Sequence, residues 1–86
     1  MKFVVHYSTV PERAVDLPAV YPLHKAYVDA FEPAADIVAI GTFEDPAVNG
    51  SMAVFATADA ARRFVAGDPF VTQGLVRPSE PLAWDA

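Results

Sequence analysis

Ile37-Val38-Ala39-Ile40-Gly41 and, a few residues on, Asn49-Gly50-Ser51-Met52-Ala53-Val54-Phe55 decide the fold. Ile37 to Ile40 is a continuous apolar run closed by Gly41, inside a strand predicted over Asp36 to Phe43. Glu44 to Gly50 is a largely polar connection that ends in Asn-Gly, a pair suited to the left-handed backbone of a tight turn. Ser51 to Ala56 then resumes as a third strand. The middle of the chain therefore reads as two successive strands.

Helical patterns flank this pair. Upstream, Val20, His24, Tyr27, Val28 and Phe31 fall on one face of a helix predicted over Ala19 to Glu32, with Pro22 in its first turn and Pro33 beyond its end. Downstream, Thr57 is a candidate cap for a helix over Ala58 to Ala66, with Asp59 in the first turn and Ala60, Ala61, Phe64 and Val65 on the buried stripe. Phe3 to Ser8 is a strand rich in aromatic and β-branched residues, with Phe3, Val5 and Tyr7 on one face and Val4, His6 and Ser8 on the other. Thr9 to Pro18 is read as a connection. Leu75 to Trp84 supplies the last strand, expected at an edge or bulged because Pro78 and Pro81 interrupt it.

The order is β-α-β-β-α-β, which predicts an α+β, ferredoxin-like domain: a four-stranded antiparallel sheet with two helices on one face, spanning residues 1–86. A sheet with one wet face alternates apolar and polar residues. Phe3-Val4-Val5, Ile37-Val38-Ala39-Ile40 and Met52-Ala53-Val54-Phe55 do not. A second copy of the chain, packed on the far face as a homodimer, is the expected cover.

Composition points the same way. Eighty-six residues without a cysteine have neither disulfides nor thiolate metal sites to supplement a small core, yet 53% of them are apolar. Six basic and eleven acidic residues give a formal charge of −5, and the basic ones form no patch beyond Arg62-Arg63, so nucleic acid is not an expected partner. Met1 to His6 enters a strand pattern without the features of a signal peptide, and no apolar run approaches membrane-spanning length. A cytoplasmic protein with no membrane partner is expected.

The residues able to carry chemistry are few. His24 lies on the apolar side of its helix, where histidines are more often satisfied core residues than bases. Asp68 precedes Pro69 and Phe70 as a helix cap, and a carboxylate held rigidly in that way suits the orientation of an imidazole. In the predicted fold the two can meet as an acid/base pair on a small-molecule ligand. His6, Tyr7, Tyr27, Thr42 and Ser51 are the polar side chains available to orient that ligand, and of these His6, Tyr27, Thr42 and Ser51 are taken as binding residues. No Ser or Cys nucleophile, phosphate-binding glycine loop or metal-ligand spacing is recognisable; zinc held by His6, His24 and a carboxylate fits residue types only. No metal or cofactor is expected.

These residues also carry a resemblance. Met1-Lys2-Phe3-Val4-Val5, Leu23-His24, Gly41, Gly50 and above all Asp68-Pro69-Phe70 followed by Gly74-Leu75-Val76 resemble the YciI-like family of small dimeric α/β-barrel proteins over nearly the whole chain. The resemblance implies His24 and Asp68 as the active-site pair. It implies a cofactor-free lyase or isomerase step on a small cyclic or aromatic metabolite, better understood relatives acting on chlorinated hydroxyquinol-type aromatics. A non-catalytic module for small-molecule binding or dimerisation is the alternative. Two positions depart from the family pattern: Tyr21 stands where an Arg is common, and Thr42 follows Gly41 where a Pro is common. The first removes an anion-binding group from the pocket mouth, and the second alters the pocket wall.

Overall fold

Strand β1 (Lys2–Thr9) forms where β-branched and aromatic residues alternate across the chain, and it runs through the middle of the sheet. The computed structural model describes residues 1–86. Around β1 the sheet is ordered β2-β3-β1-β4, all antiparallel, with β2 at Ile37–Thr42, β3 at Ser51–Phe55 and β4 at Val76–Pro78. Two main helices, α1 (Leu17–Ala30) and a second at Ala58–Gly67, pack on one face. The expected strand and helix order is present as an α+β domain. No helix is long and apolar enough to cross a membrane.

Three connections depart from the sequence reading. Thr9 to Pro18 is not plain connection: Pro11–Asp16 form a 3-10 turn with Pro11 at its start, which carries the chain into α1 two residues early. Pro18 rather than Pro22 then occupies the first turn, and Pro22 falls inside the helix. Glu44 to Gly50 also holds structure, a single helical turn α2 (Pro46–Asn49) entered through Asp45 at φ 51°. Its exit at Gly50 (φ 74°) passes so close to β1 that a Cβ there would lie 2.0 Å from the Tyr7 carbonyl oxygen. The last strand is split. After β4, Leu82–Trp84 form β5 and pair with Val4 to Lys2 on the same edge of β1, with the register displaced by one residue across Ser79-Glu80-Pro81. This is the bulged edge that the two prolines predict.

The core lies between sheet and helices. Val5, Tyr7, Ala53 and Phe55 of the sheet meet Val20 and Phe31 around α1, Ala60, Ala61 and Phe64 of α3 (Ala58–Gly67), and Leu75 and Val76. Phe64 is its hub, with the rings of Phe31, Phe55 and Tyr27 all within 5.3 Å of its own. The Thr57 side chain caps α3 by accepting from the Ala60 N–H, as expected. On the opposite face of the sheet, Phe43, Leu82 and Trp84 remain exposed. That face carries Val4, Met52 and Val54 between them, by register with one another across β1, β3 and β5.

Candidate functional site

Asp68 ends α3 and begins a short helix, α4 (Pro69–Thr72), so its side chain is fixed by the backbone it caps. Its Oδ1 accepts from the Phe70 N–H at 3.1 Å. Pro69, with no N–H to satisfy and a preset φ, fits the first position of α4. The same Oδ1 lies 2.8 Å from His24 Nδ1, a residue forty-four positions earlier on α1. The Phe70 ring stacks on the imidazole at 4.4 Å and 20°. The tripeptide Asp68-Pro69-Phe70 thus caps a helix, holds one nitrogen of His24 and braces its ring.

An ionised carboxylate can only accept, so beside an ionised Asp68 a neutral His24 carries its proton on Nδ1 and keeps its lone pair on Nε2. The pair is well shielded, with Asp68 only 2% and His24 15% exposed at the side chain. Both belong to the wall of a cavity of about 470 Å³, between α1 and the β1-β2 side of the sheet. That volume falls in the range of roughly 300–1,000 Å³ common for small-molecule sites. Leu17, Val28, Ile40 and Phe70 give the cavity an apolar lining.

Of the other expected binding residues, Thr42 and Ser51 line the cavity, facing one another as partners in the β2–β3 ladder. His6 and Tyr27 are not among the residues that line it. His6 projects from the far face of the sheet, where its ring stacks near Phe43 at 6.2 Å. It lines a shallow hollow there with Val4, Met52, Leu82 and Trp84. With the two histidines on opposite faces, a zinc set from both cannot form, and no group of three acidic or His side chains gathers anywhere in the chain. Tyr27 sits on the buried face of α1 as its spacing predicts, but its hydroxyl donates to the Phe64 and Arg63 carbonyls at 3.0 and 3.2 Å. It locks α1 to α3.

Three wall residues carry more than sequence reasoning assigned to them. Phe70 is the stacking partner of His24, a role its position two residues after Asp68 could have suggested. Lys25 lies at the rim, in an ion pair with Asp29 at 2.9 Å. Tyr7 lies at the inner wall, 5% exposed, and its hydroxyl is the one buried side-chain polar atom with no hydrogen-bond partner in the protein. Burial first, then the negative charge of Asp68 and the neighbouring Tyr27, push the Tyr7 phenol far above its ordinary range, so it stays protonated. Burial and Asp68 likewise raise the Tyr27 phenol. No protein-family model, curated protein or solved structure matches the chain.

Proposed function

We propose that this protein is a small acid/base enzyme in which His24 moves a proton and Asp68 orients it. The observation that carries the reading is the 2.8 Å contact between His24 Nδ1 and Asp68 Oδ1 in the wall of a ligand-sized cavity. One imidazole nitrogen is fixed and the other is free. That is the arrangement a general base needs, with the carboxylate also stabilising the imidazolium formed when the base takes a proton. A lyase or isomerase step suits it: a C–H proton goes to Nε2, its electron pair forms a C=C bond, and either a neighbouring group leaves with its bonding pair or an adjacent π bond shifts and its far atom takes the proton back. A small cyclic or aromatic metabolite fits the apolar lining.

The same proposal covers the assembly and the family. The strand order and one-sided helices agree with a ferredoxin-like domain. Exposed Phe43, Leu82 and Trp84 on the other face favour a second copy packed sheet to sheet, as in the dimeric α/β barrels of YciI-like proteins. His24 and Asp68, the positions that resemblance singles out, are the two that make the contact.

A thermal-shift screen of small cyclic and aromatic compounds tests the enzyme reading. A ligand that uses the site raises the melting temperature of the wild type and loses that effect in His24→Asn. Ligands that stabilise both forms equally would favour a binding module in which His24 is only structural.

A further inference from the structure

The Tyr7 hydroxyl is set apart from every other hydroxyl on the cavity wall. Thr9 Oγ1 is committed to the Pro46 carbonyl at 2.8 Å, Tyr21 and Thr42 are exposed, and Ser51 is half-buried. Tyr7 is on the central strand and more than nine-tenths buried, with its O–H unmatched by any acceptor of the chain. A buried hydroxyl in that condition destabilises the fold unless an oxygen from outside the chain meets it. Tyr7 belongs to the cavity wall, so the acceptor that meets its hydroxyl is an oxygen at the edge of a ligand in the cavity.

Charge narrows the ligand further. The only lysine or arginine on the cavity wall is Lys25, and Asp29 already holds it at 2.9 Å. Asp68 adds a negative charge next to the base. No unpaired cation remains to offset an anionic ligand, and a protonated phenol beside a carboxylate donates a hydrogen bond without supplying positive charge.

We infer that Tyr7 is the oxygen anchor of the cavity, donating to the carbonyl of an uncharged cyclic ketone or enone whose adjacent C–H faces His24 Nε2. This rests on the reading of His24 and Asp68 as an acid/base pair. In the step that follows, Nε2 takes the proton from the carbon beside the carbonyl. The C–H electron pair becomes a C=C bond and the carbonyl π pair moves onto oxygen, giving an enolate that Tyr7 stabilises while keeping its own proton. In a β,γ-unsaturated ketone the imidazolium then returns the proton to the γ carbon and the carbonyl re-forms as the conjugated enone. Protons and electrons balance without a co-reactant. Tyr7 strengthens its hydrogen bond as charge develops on the oxygen, so it favours the transition state over the bound ketone.

The test uses two probes of similar ring size, cyclohexanone and cyclohexanecarboxylate, with binding and α-carbon deuterium exchange in D₂O followed by NMR. Wild type is expected to bind the ketone at least about 10-fold more tightly than the carboxylate and to accelerate exchange. Tyr7→Phe is expected to slow that exchange by about 100-fold, the usual consequence of losing one oxyanion donor, and to weaken ketone binding. His24→Asn is expected to abolish exchange and to weaken ketone binding. Unchanged ketone affinity and exchange in Tyr7→Phe, with exchange lost in His24→Asn, would overturn the anchor and leave the acid/base reading standing; a structural water then satisfies Tyr7. Exchange undiminished in His24→Asn would overturn the acid/base reading, whatever Tyr7 does to affinity. Tighter binding of the carboxylate, or no binding of the ketone to wild type, would overturn the ligand class.

Discussion

His24 on α1 and Asp68 between α3 and α4 meet at 2.8 Å, and the oxygen that joins them also caps α4 through the Phe70 N–H. One atom therefore couples the proposed chemistry to the local fold. Any change that frees the carboxylate from the helix also misplaces the imidazole.

Asp68→Ala removes the acceptor for the Phe70 N–H and the partner of His24 together. Loss of a cap and of a buried hydrogen bond predicts a destabilisation of about 1–3 kcal/mol, read by urea denaturation at neutral pH. Asp68→Asn keeps a carbonyl oxygen for the cap, so it is expected to lose less stability. It also carries amide protons that compete for the imidazole, so its effect on ligand response is expected to approach that of His24→Asn. Equal stability of the Ala variant and wild type would mean that the cap contributes nothing.

Tyr7→Phe has the opposite expected sign for stability. It removes a buried hydroxyl that has no partner in the protein, so at neutral pH the variant is predicted to match wild type or exceed it by up to about 2 kcal/mol. The pH dependence follows from the raised phenol. Folding favours the protonated form, so this contribution is complete below the ordinary phenol range near about 10 and declines as pH rises above it, where the unfolded chain ionises first. Wild type should lose stability above that range more steeply than Tyr7→Phe. Tyr27 is raised in the same direction and leaves a residual decline in the variant. Parallel alkaline unfolding curves for the two proteins would contradict the assignment.

Gly50→Ala should be costly for a reason local to β1. The backbone at φ 74° and ψ −149° disfavours any side chain, and the added Cβ would press on the Tyr7 carbonyl at 2.0 Å. Strain and clash together predict a loss of roughly 2–4 kcal/mol. The displaced backbone is that of the cavity wall, so ketone affinity should fall with it. A variant with wild-type melting behaviour would show that the hairpin exit can move away from β1.

Periodicity made most of this architecture legible. The spacing of Val20, His24, Tyr27, Val28 and Phe31 identified the inward face of α1, and the alternation in β1 separated Tyr7 from His6 correctly. It does not say which side of the sheet holds the cavity, and so it does not separate His6, on the far face, from the residues of the cavity wall. Tyr27 lies on the expected face, but the acceptors of its hydroxyl, the Arg63 and Phe64 carbonyls, lie thirty-six and thirty-seven residues away, beyond the reach of local spacing. Pro22 drew the start of α1 too late because the 3-10 turn from Pro11 already brings the chain into helical geometry. The partnerless state of the Tyr7 hydroxyl is a property of packing alone, and no local pattern encodes it.

The far face of the sheet yields the last prediction. Leu82 is 55% and Trp84 47% exposed, and they stand over Val4 and Lys2 on the strand edge that the Ser79–Pro81 bulge displaces. Phe43, stacked near His6, extends the apolar strip towards β2. A small chain gains much from covering such a strip, because its own core buries a modest share of its surface. Wild type is therefore expected to sediment as a dimer at micromolar concentration. Trp84→Lys places a charge beside Lys2 on that face and should shift the protein to monomer. Because the His24 cavity lies on the other side of the sheet, the monomeric variant should retain ketone binding if the cavity is complete within one chain. A wild type that remains monomeric under these conditions would remove the sheet face as a dimer interface.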